Sequence, residues 1–357
     1  MSVDFSADFD SAVARACDSG VPAEELVLGC VVRLDRGFPA IVSRDAIFRA
    51  EFSTRLSKGL SSDQTRAAVG DWVCARRPDS HDMGRIEEVL PRRTDVARWK
   101  GGSRGERQTL AANVELVLLV QQVGADVISC DRIVRSAVIA SDCGTRFAVV
   151  LTKCDRASAQ MLLADVERIR AVLGESVPIV LSSSEPSSPS IDAAVGSHRD
   201  ELVLVGLDGV RGLVPAGVVA IVLGESGAGK STLLNGLLGH DALETGAVRS
   251  SDDAGRHTTV ARRMVRLPGA GIIVDEPGLR SLPVLGHERG LARVFPDVSA
   301  AAETCRFSDC THVHEPGCGV RAALDAGEVC QERHDAYVAL ATEMRASAGT
   351  LDPDIVL

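Results

Sequence analysis

Gly224-Glu225-Ser226-Gly227-Ala228-Gly229-Lys230-Ser231, followed by Thr232, has the spacing of a phosphate cradle. Glycines at this spacing let backbone N–H groups curl around an anion. The lysine then neutralises β- and γ-phosphate oxygens, and the serine hydroxyl is placed to ligate Mg²⁺. The context is the one the pattern needs, because an apolar run, Val218–Leu223, leads in and the apolar stretch LLNGLLG leads out. A second apolar run, Ile272-Ile273-Val274, delivers Asp275 to its tip, followed by Glu276-Pro277-Gly278. Asp275 suits a role in holding Mg²⁺ through water, and Gly278 can offer its N–H to a γ-phosphate. Between them lies Gly255-Arg256-His257-Thr258-Thr259. A threonine here completes the Mg²⁺ shell only when a triphosphate is bound, and spacing does not choose between Thr258 and Thr259.

Thr152-Lys153-Cys154-Asp155 closes another apolar run, Phe147–Leu151. In this tetrapeptide pattern the carboxylate accepts hydrogen bonds from guanine N1–H and N2–H₂, while the lysine stem lies along the base. Adenine lacks both donors in that arrangement, so a buried Asp155 would reject it. An ABC-type ATPase would also carry GESGAGKST and IIVDEPG, with Glu276 as base. It needs an LSGGQ-like signature that the chain lacks, and it leaves Thr152–Asp155 without a use. The base-reading loop here precedes the phosphate loop, the reverse of the usual order. A sheet tolerates this, since each motif sits at the end of its own strand and the chain can be cut and rejoined elsewhere. A second base loop is open between Leu181-Ser182-Ser183 and the stretch containing Gly206-Leu207.

These loops need a frame, and 357 residues suffice for two or three domains. A hydrophobic content of 45% excludes wholesale disorder, and no apolar run is long enough to span a membrane. The first residues are acidic and lack the pattern of a signal peptide, so a cytoplasmic location is expected. Residues 1–26 read as an acidic, weakly helical leader. From 27 to about 95, GCVVRL, AIVS, AIFRAEF, VGDWVCAR and GRIEEVL alternate like five short strands. That pattern fits an OB-fold barrel, with an SH3-like barrel giving a similar texture. GGSRG at 101–105 reads as a linker. Beyond it strands alternate with helices, one starting at Asp131 and one over Ser158–Leu173, which implies a mainly parallel sheet. SSSEPSSPS at 182–190 reads as a flexible insertion.

The net charge of −10 argues against whole-surface attraction to nucleic acid. Residues 27–107 nevertheless carry 16 Lys/Arg against 11 Asp/Glu, and 92–107 six against two, a candidate patch for phosphate backbone. Of ten cysteines, Cys17, Cys30, Cys74, Cys130, Cys143 and Cys154 are scattered and read as reduced small hydrophobes. Cys305-x4-Cys310-x-His312-x5-Cys318 is compact, with His314 and Cys330 nearby. Three thiolates and one imidazole make a structural zinc site with no open position for a catalytic water, able to staple a region with little core.

TKCD, GESGAGKSTLLN, GRHTT, DEPGLR and the Cys/His cluster with EPGC, behind an OB-like start, together resemble the RsgA (YjeQ) family. These are circularly permuted GTPases that act in late maturation of the bacterial small ribosomal subunit, and the resemblance covers about residues 27–345. It implies a multidomain chain: an OB-fold β-barrel (27–100), an α/β P-loop GTPase domain (107–285) and a small, mainly α zinc-binding domain (286–357). It implies a GTP hydrolase that yields GDP and phosphate and is stimulated by the ribosome. Its partners would be GTP/GDP, the small subunit and its rRNA, without membrane, in a monomer. Its cofactors would be Mg²⁺ with GTP and one structural Zn²⁺.

Carried over by position, Thr152, Lys153, Cys154, Asp155, Gly224, Glu225, Ser226, Gly227, Ala228, Gly229, Lys230, Ser231, Thr232, Asp275 and Gly278 would bind GTP. Ser231 with Thr258 or Thr259 would bind Mg²⁺, and Cys305, Cys310, His312 and Cys318 would bind zinc. Leu279 stands where Ras-like proteins place a water-orienting Gln, and the resemblance assigns that catalytic role to His257. Thr152 replaces a commoner Asn, which implies a weaker hydrogen bond between loops, and Glu276 replaces the usual Thr of D-T-P-G. A scaffold that binds RNA and uses nucleotide only as a structural ligand is the non-enzymatic alternative, separated by hydrolysis with and without small subunits.

Overall fold

The structure of the protein, a computed structural model, describes residues 4–35, 38–54, 56, 67–77, 83–100, 106–124, 127–185, 188–197, 202–240, 262–275 and 283–348. Its first strands are β1 (Leu26–Asp35), β2 (Phe38–Ser43), β3 (Ile47–Phe52), β4 (Trp72–Arg76) and β5 (Met83–Val89). They pair in the order β1-β2-β3-β5-β4, and β4 returns to β1 along Leu26–Cys30, which closes a barrel. Only β3 and β5 run parallel. This is the Greek-key closure of an OB-fold. Alternation supplies its interior, with Val31, Ile41, Ala50, Val73, Ala75 and Ile86 fully buried.

The acidic N-terminal segment is part of this unit rather than a leader. It forms α1 (Ser6–Asp18), whose buried face is only Ala12 and Ala16. Phe5 stacks on Trp72 with ring centroids 5.4 Å apart, and Arg15 pairs with Glu88 on β5 at 2.5 Å. Two alanines give little hydrophobic signal, which is why the sequence reads as a leader.

β6 (Asp95–Lys100) and β7 (Glu106–Ala112) pair as an antiparallel ribbon. The stretch 101–105 therefore joins two paired strands and does not separate two domains. Asp71, buried in the barrel wall, accepts two hydrogen bonds of 2.8 Å from Arg92, which also donates to Thr109 on the ribbon. Of the basic residues at 92–107, Arg93 pairs with Asp8 and Arg107 with Asp95, so part of the local positive charge is spent inside the fold.

The second sheet follows the order β11-β10-β9-β8-β12-β14-β13. Its strands are β8 (Leu116–Gln122), β9 (Arg146–Thr152), β10 (Ile179–Leu181), β11 (Val203–Val205), β12 (Val219–Leu223), β13 (Arg263–Arg266) and β14 (Ile272–Asp275). All run parallel except β13. β13 also pairs with β1 through Arg263 and Arg33, so barrel and sheet are continuous. Helices α2 (Asp131–Asp142), α3 (Ala159–Leu173), α4 (Pro189–Ser197), α5 (Gly206–Leu213) and α6 (Lys230–Leu238) connect the strands. The serine-rich stretch is not a free insertion: Ser182 is buried, and Pro189 opens α4.

Among the described residues, four helices follow: α7 (Glu288–Val294), α8 (Pro296–Ala302), α9 (Gly319–Asp325) and α10 (Gln331–Ala348). Val294, Phe295, Val298, Leu340 and Met344 share one buried cluster with Val134, Val138 and Ile169 of α2 and α3. Asp142 at the end of α2 accepts from the Gly290 N–H at 3.1 Å and meets His287 Nδ1 at 3.0 Å. Gly290 is required there, since a Cβ would lie 2.1 Å from the Val138 carbonyl oxygen.

Candidate nucleotide site and metal centre

β12 delivers Gly224 to the carboxyl edge of the sheet, between β8 and β14. A Cβ at Gly224 would sit 2.4 Å from the Val120 carbonyl oxygen, so only glycine lets the loop start this close to β8. Gly227 and Gly229 have φ of 83° and 89°, in the left-handed region. Lys230 opens α6, and its amine donates to the Gly224 and Glu225 carbonyls at 2.7 and 2.5 Å. Ser231 and Thr232 follow in the first turn, beside the free N–H groups of a helix start.

Asp275 stands opposite Val222 at the tip of the neighbouring strand. Burial lowers the pKa of Lys230 against the pull of Asp275 and Glu225, and it raises that of Asp275 against Arg263 and Lys230. Glu225 pairs with Arg132 at the start of α2. A cavity of about 480 Å³ lies alongside, lined by Gln121, Arg132, Arg135, Glu225 and Glu343 among others.

β9 ends one strand further away, yet its loop reaches the phosphate loop directly. Thr152 Oγ1 donates to the Ala228 carbonyl at 2.6 Å, across 76 residues of sequence. Lys153 takes a left-handed φ of 58°, and its amine donates to the Gly227 carbonyl at 2.8 Å and to Gln122 Oε1. Cys154 is buried, its N–H bound to the Ser182 carbonyl at 3.2 Å, and burial pushes its thiol up to about 12. That thiol is structural, not a nucleophile. Asp155 lies exposed at the rim, where Ser183 Oγ donates to its carboxylate at 2.8 Å.

The Cys305, Cys310, His312 and Cys318 ligand atoms all lie within 4.8 Å of one another. His312 Nδ1 is 3.5 Å from both the Cys305 and Cys318 sulfurs, which are 3.9 Å apart. A tetrahedron with Zn–S of about 2.3 Å and Zn–N of about 2.0 Å has edges of roughly 3.5–3.8 Å, so the donor set fits that ion. The Gly319 and Arg321 N–H groups point at the Cys305 and Cys318 sulfurs at 3.3 and 3.4 Å. Burial disfavours a thiolate at Cys305, but the Gly319 and Val320 N–H groups lead the interactions that outweigh it and hold the thiol below its ordinary value. His334 Nε2 donates to the His312 carbonyl at 3.0 Å, and Glu315 gathers the Thr311, Val313 and His314 N–H groups. Cys330 stands apart, its thiol donating to the Ala171 carbonyl on α3.

A family profile described as RsgA GTPase matches residues 213–285. The small ribosomal subunit biogenesis GTPase RsgA of Streptomyces coelicolor is 37% identical over 324 residues, 90% of this chain and 81% of that protein. The protein of the same name from Xanthomonas euvesicatoria pv. vesicatoria is 36% identical over 317 residues, 88% of this chain and 80% of that protein. The chain belongs to the RsgA family of GTPases. Its fold is shared with YjeQ from Thermotoga maritima (TM-score 0.63, 23% identity, 90% of this chain and 99% of that one). It is shared as well with YloQ, described as a circularly permuted GTPase (TM-score 0.58, 19% identity, 90% of this chain and 96% of that one).

In this RsgA-family chain the structure brings Thr152–Asp155 and Gly224–Thr232 together, with Asp275 at the adjoining strand tip. Asp155 differs from expectation in being exposed rather than buried. Thr152, expected to weaken a contact between loops, makes one. Of the two candidates for the second base loop, Ser182-Ser183 touches Asp155, whereas Gly206-Leu207 opens α5 after β11 and packs Leu207 near Gly236 of α6. His257, Thr258, Thr259, Glu276, Gly278 and Leu279 lie outside the described residues. Gln122, absent from every motif read in the sequence, joins the site through Lys153. Its position at the end of an apolar strand beside β9 is the only signal that could have found it.

Proposed function

We propose that the pocket between Thr152–Asp155 and Gly224–Thr232 binds GTP and hydrolyses it to GDP and phosphate. We further propose that this reaction serves biogenesis of the small ribosomal subunit, the role in the names of the relatives. The observation that carries the reading is the pair of bonds from Thr152 and Lys153 to the Ala228 and Gly227 carbonyls. A base held by Asp155 and a phosphate tail held by Lys230 then belong to one ligand.

Each residue has a definable task. Asp155, steadied by Ser183, presents acceptor oxygens to the guanine edge, and Ser182-Ser183 serves as the second base loop. The Lys230 amine exchanges loop carbonyls for phosphate oxygens, whose charge suits it better in a half-buried site. Ser231, Asp275 and Thr258 or Thr259 would hold Mg²⁺, which neutralises charge developing on the phosphates. Gly278 would offer its N–H to the γ-phosphate. His257 would orient the attacking water, a role resting on the family resemblance, since Leu279 cannot hydrogen-bond it. The four zinc ligands leave no open position, so that ion would hold the loop and do no chemistry.

The barrel and ribbon are the proposed rRNA-facing surface, and the chain is proposed to act as a cytoplasmic monomer. Among the described residues no helix is long and apolar enough to cross a membrane. The test is GTP turnover measured with added small subunits, large subunits or free RNA. Stimulation confined to small subunits supports the reading, and His257→Ala should remove most of it while GTP affinity persists. Equal stimulation by all three additions would contradict it.

A further inference from the structure

Lys153 is held from two sides, and one holder belongs to no nucleotide motif. β8 lies between β9 and β12, so its last residue stands at the sheet edge between the base-reading loop and the phosphate loop. That residue is Gln122, in register with Thr152. Its side-chain oxygen accepts a hydrogen bond from the Lys153 amine, which also donates to the Gly227 carbonyl at 2.8 Å. The left-handed backbone at Lys153, φ 58°, is uncommon for a residue with a side chain, and here it accompanies a stem that reaches back to both β8 and the phosphate loop.

A lysine stem has four rotatable bonds and considerable rotamer entropy. One hydrogen bond at its tip leaves the methylenes free to swing. Two acceptors on different elements fix the tip, and with the backbone end fixed as well the stem has a defined course. We infer that Gln122 is a positioning residue for guanine nucleotide, holding the Lys153 stem in the place where it packs along the base. The inference rests on reading Thr152–Asp155 as the base loop. Because Gln122 acts through Lys153 and not through Asp155, it sets affinity without choosing among purines that share a ring face. It is remote from Lys230 and Asp275 in role, so it does not set the rate of hydrolysis.

The test uses the full-length protein and fluorescent N-methylanthraniloyl-GDP, displaced by GDP or IDP, together with steady-state GTP hydrolysis. Gln122→Leu, similar in size but without an acceptor, should weaken GDP and IDP by the same factor, roughly three- to tenfold for one hydrogen bond. It should raise KM by that factor and leave kcat unchanged. Gln122→Glu keeps an acceptor and should bind within about twofold of the parent. Gln122→Ala serves if the leucine variant does not fold. Parent-like affinity in the variants without an acceptor, a glutamate variant as weak as leucine, a fall in kcat or a changed GDP/IDP ratio would each overturn the proposal. Asp155→Asn, run alongside with XDP, separates the two failures. If it switches preference to XDP while Gln122 variants do nothing, only the positioning role falls; if it does not switch, the base-loop reading falls first.

Discussion

Thr152 and Ala228 stand 76 residues apart in sequence and share a hydrogen bond of 2.6 Å. Ala228 is the buried residue of the glycine-rich loop, and Thr152 closes the strand that carries the proposed base reader. In the proposed reading, this contact fixes the distance between the two halves of the nucleotide site. It depends only on β9, β8 and β12 being successive neighbours in the sheet, whatever the order in which the chain visits them.

Replacing Thr152 with Val keeps the shape and removes the donor. The Ala228 carbonyl then loses a partner, at a cost of about 1 kcal/mol, or roughly fivefold in GDP affinity by equilibrium binding. Thr152→Asn, which can also donate, should restore most of it. A valine variant with parent affinity would mean that the contact does not set the spacing.

Lys230 should trade stability for function. Burial lowers its pKa, so the folded chain takes up this proton less readily than the unfolded one. The resulting penalty is present at neutral pH and disappears only as pH rises past the lowered value toward the ordinary 10.5. Lys230→Met should therefore raise the thermal midpoint of the nucleotide-free protein at pH 7 while removing measurable GTP binding. A lowered midpoint would show that the bonds to Gly224 and Glu225 outweigh desolvation.

Asp142 joins the C-terminal helices to α2. Burial alone would raise its carboxyl pKa, but the hydrogen bond from His287, with the His287 and Arg289 charges, holds it below 3.8. A depressed carboxylate contributes stability that is fully present above 3.8 and is lost as pH falls through the lower folded value. Asp142→Asn should thus lower the unfolding free energy measured in urea by about 1–2 kcal/mol at pH 5, with the difference shrinking below pH 4. A difference that stays constant below pH 4 would contradict this assignment.

The Cys305–Cys318 cluster should hold one zinc ion, measurable by native mass spectrometry. Cys318→Ala should weaken zinc binding and loosen the 303–330 region in hydrogen exchange, since water would have to replace a thiolate in the tetrahedron. Full zinc content in a Cys310→Ala/Cys318→Ala double variant would place the ion elsewhere.

Much of this was legible in the sequence because the relevant residues act through local patterns. The glycines of 224–229 and the tetrapeptide 152–155 sit at strand ends that apolar runs mark plainly. The four candidate metal ligands fall within one short stretch and need no tertiary knowledge. What escaped was decided by partners distant in sequence. α1 buries two alanines and depends on Trp72, so it reads as a leader. β10 and β11 are three residues each, β10 formed against β9 and β11 against β10. Ser183 is one serine among many until β10 places it against Asp155. Gln122 carries no motif, and Asp155, which would reject adenine if buried, stands exposed at the rim.

The most direct measurement is the preference between GDP and XDP in the parent chain and in Asp155→Asn. Xanthine carries an oxygen where guanine carries the N2 amine, so an amide at position 155 should reverse the preference. The account predicts guanine selectivity in the parent and xanthine selectivity in the variant, with the phosphate loop unchanged. A parent chain indifferent to the base, or a variant that keeps its preference for GDP, would contradict it.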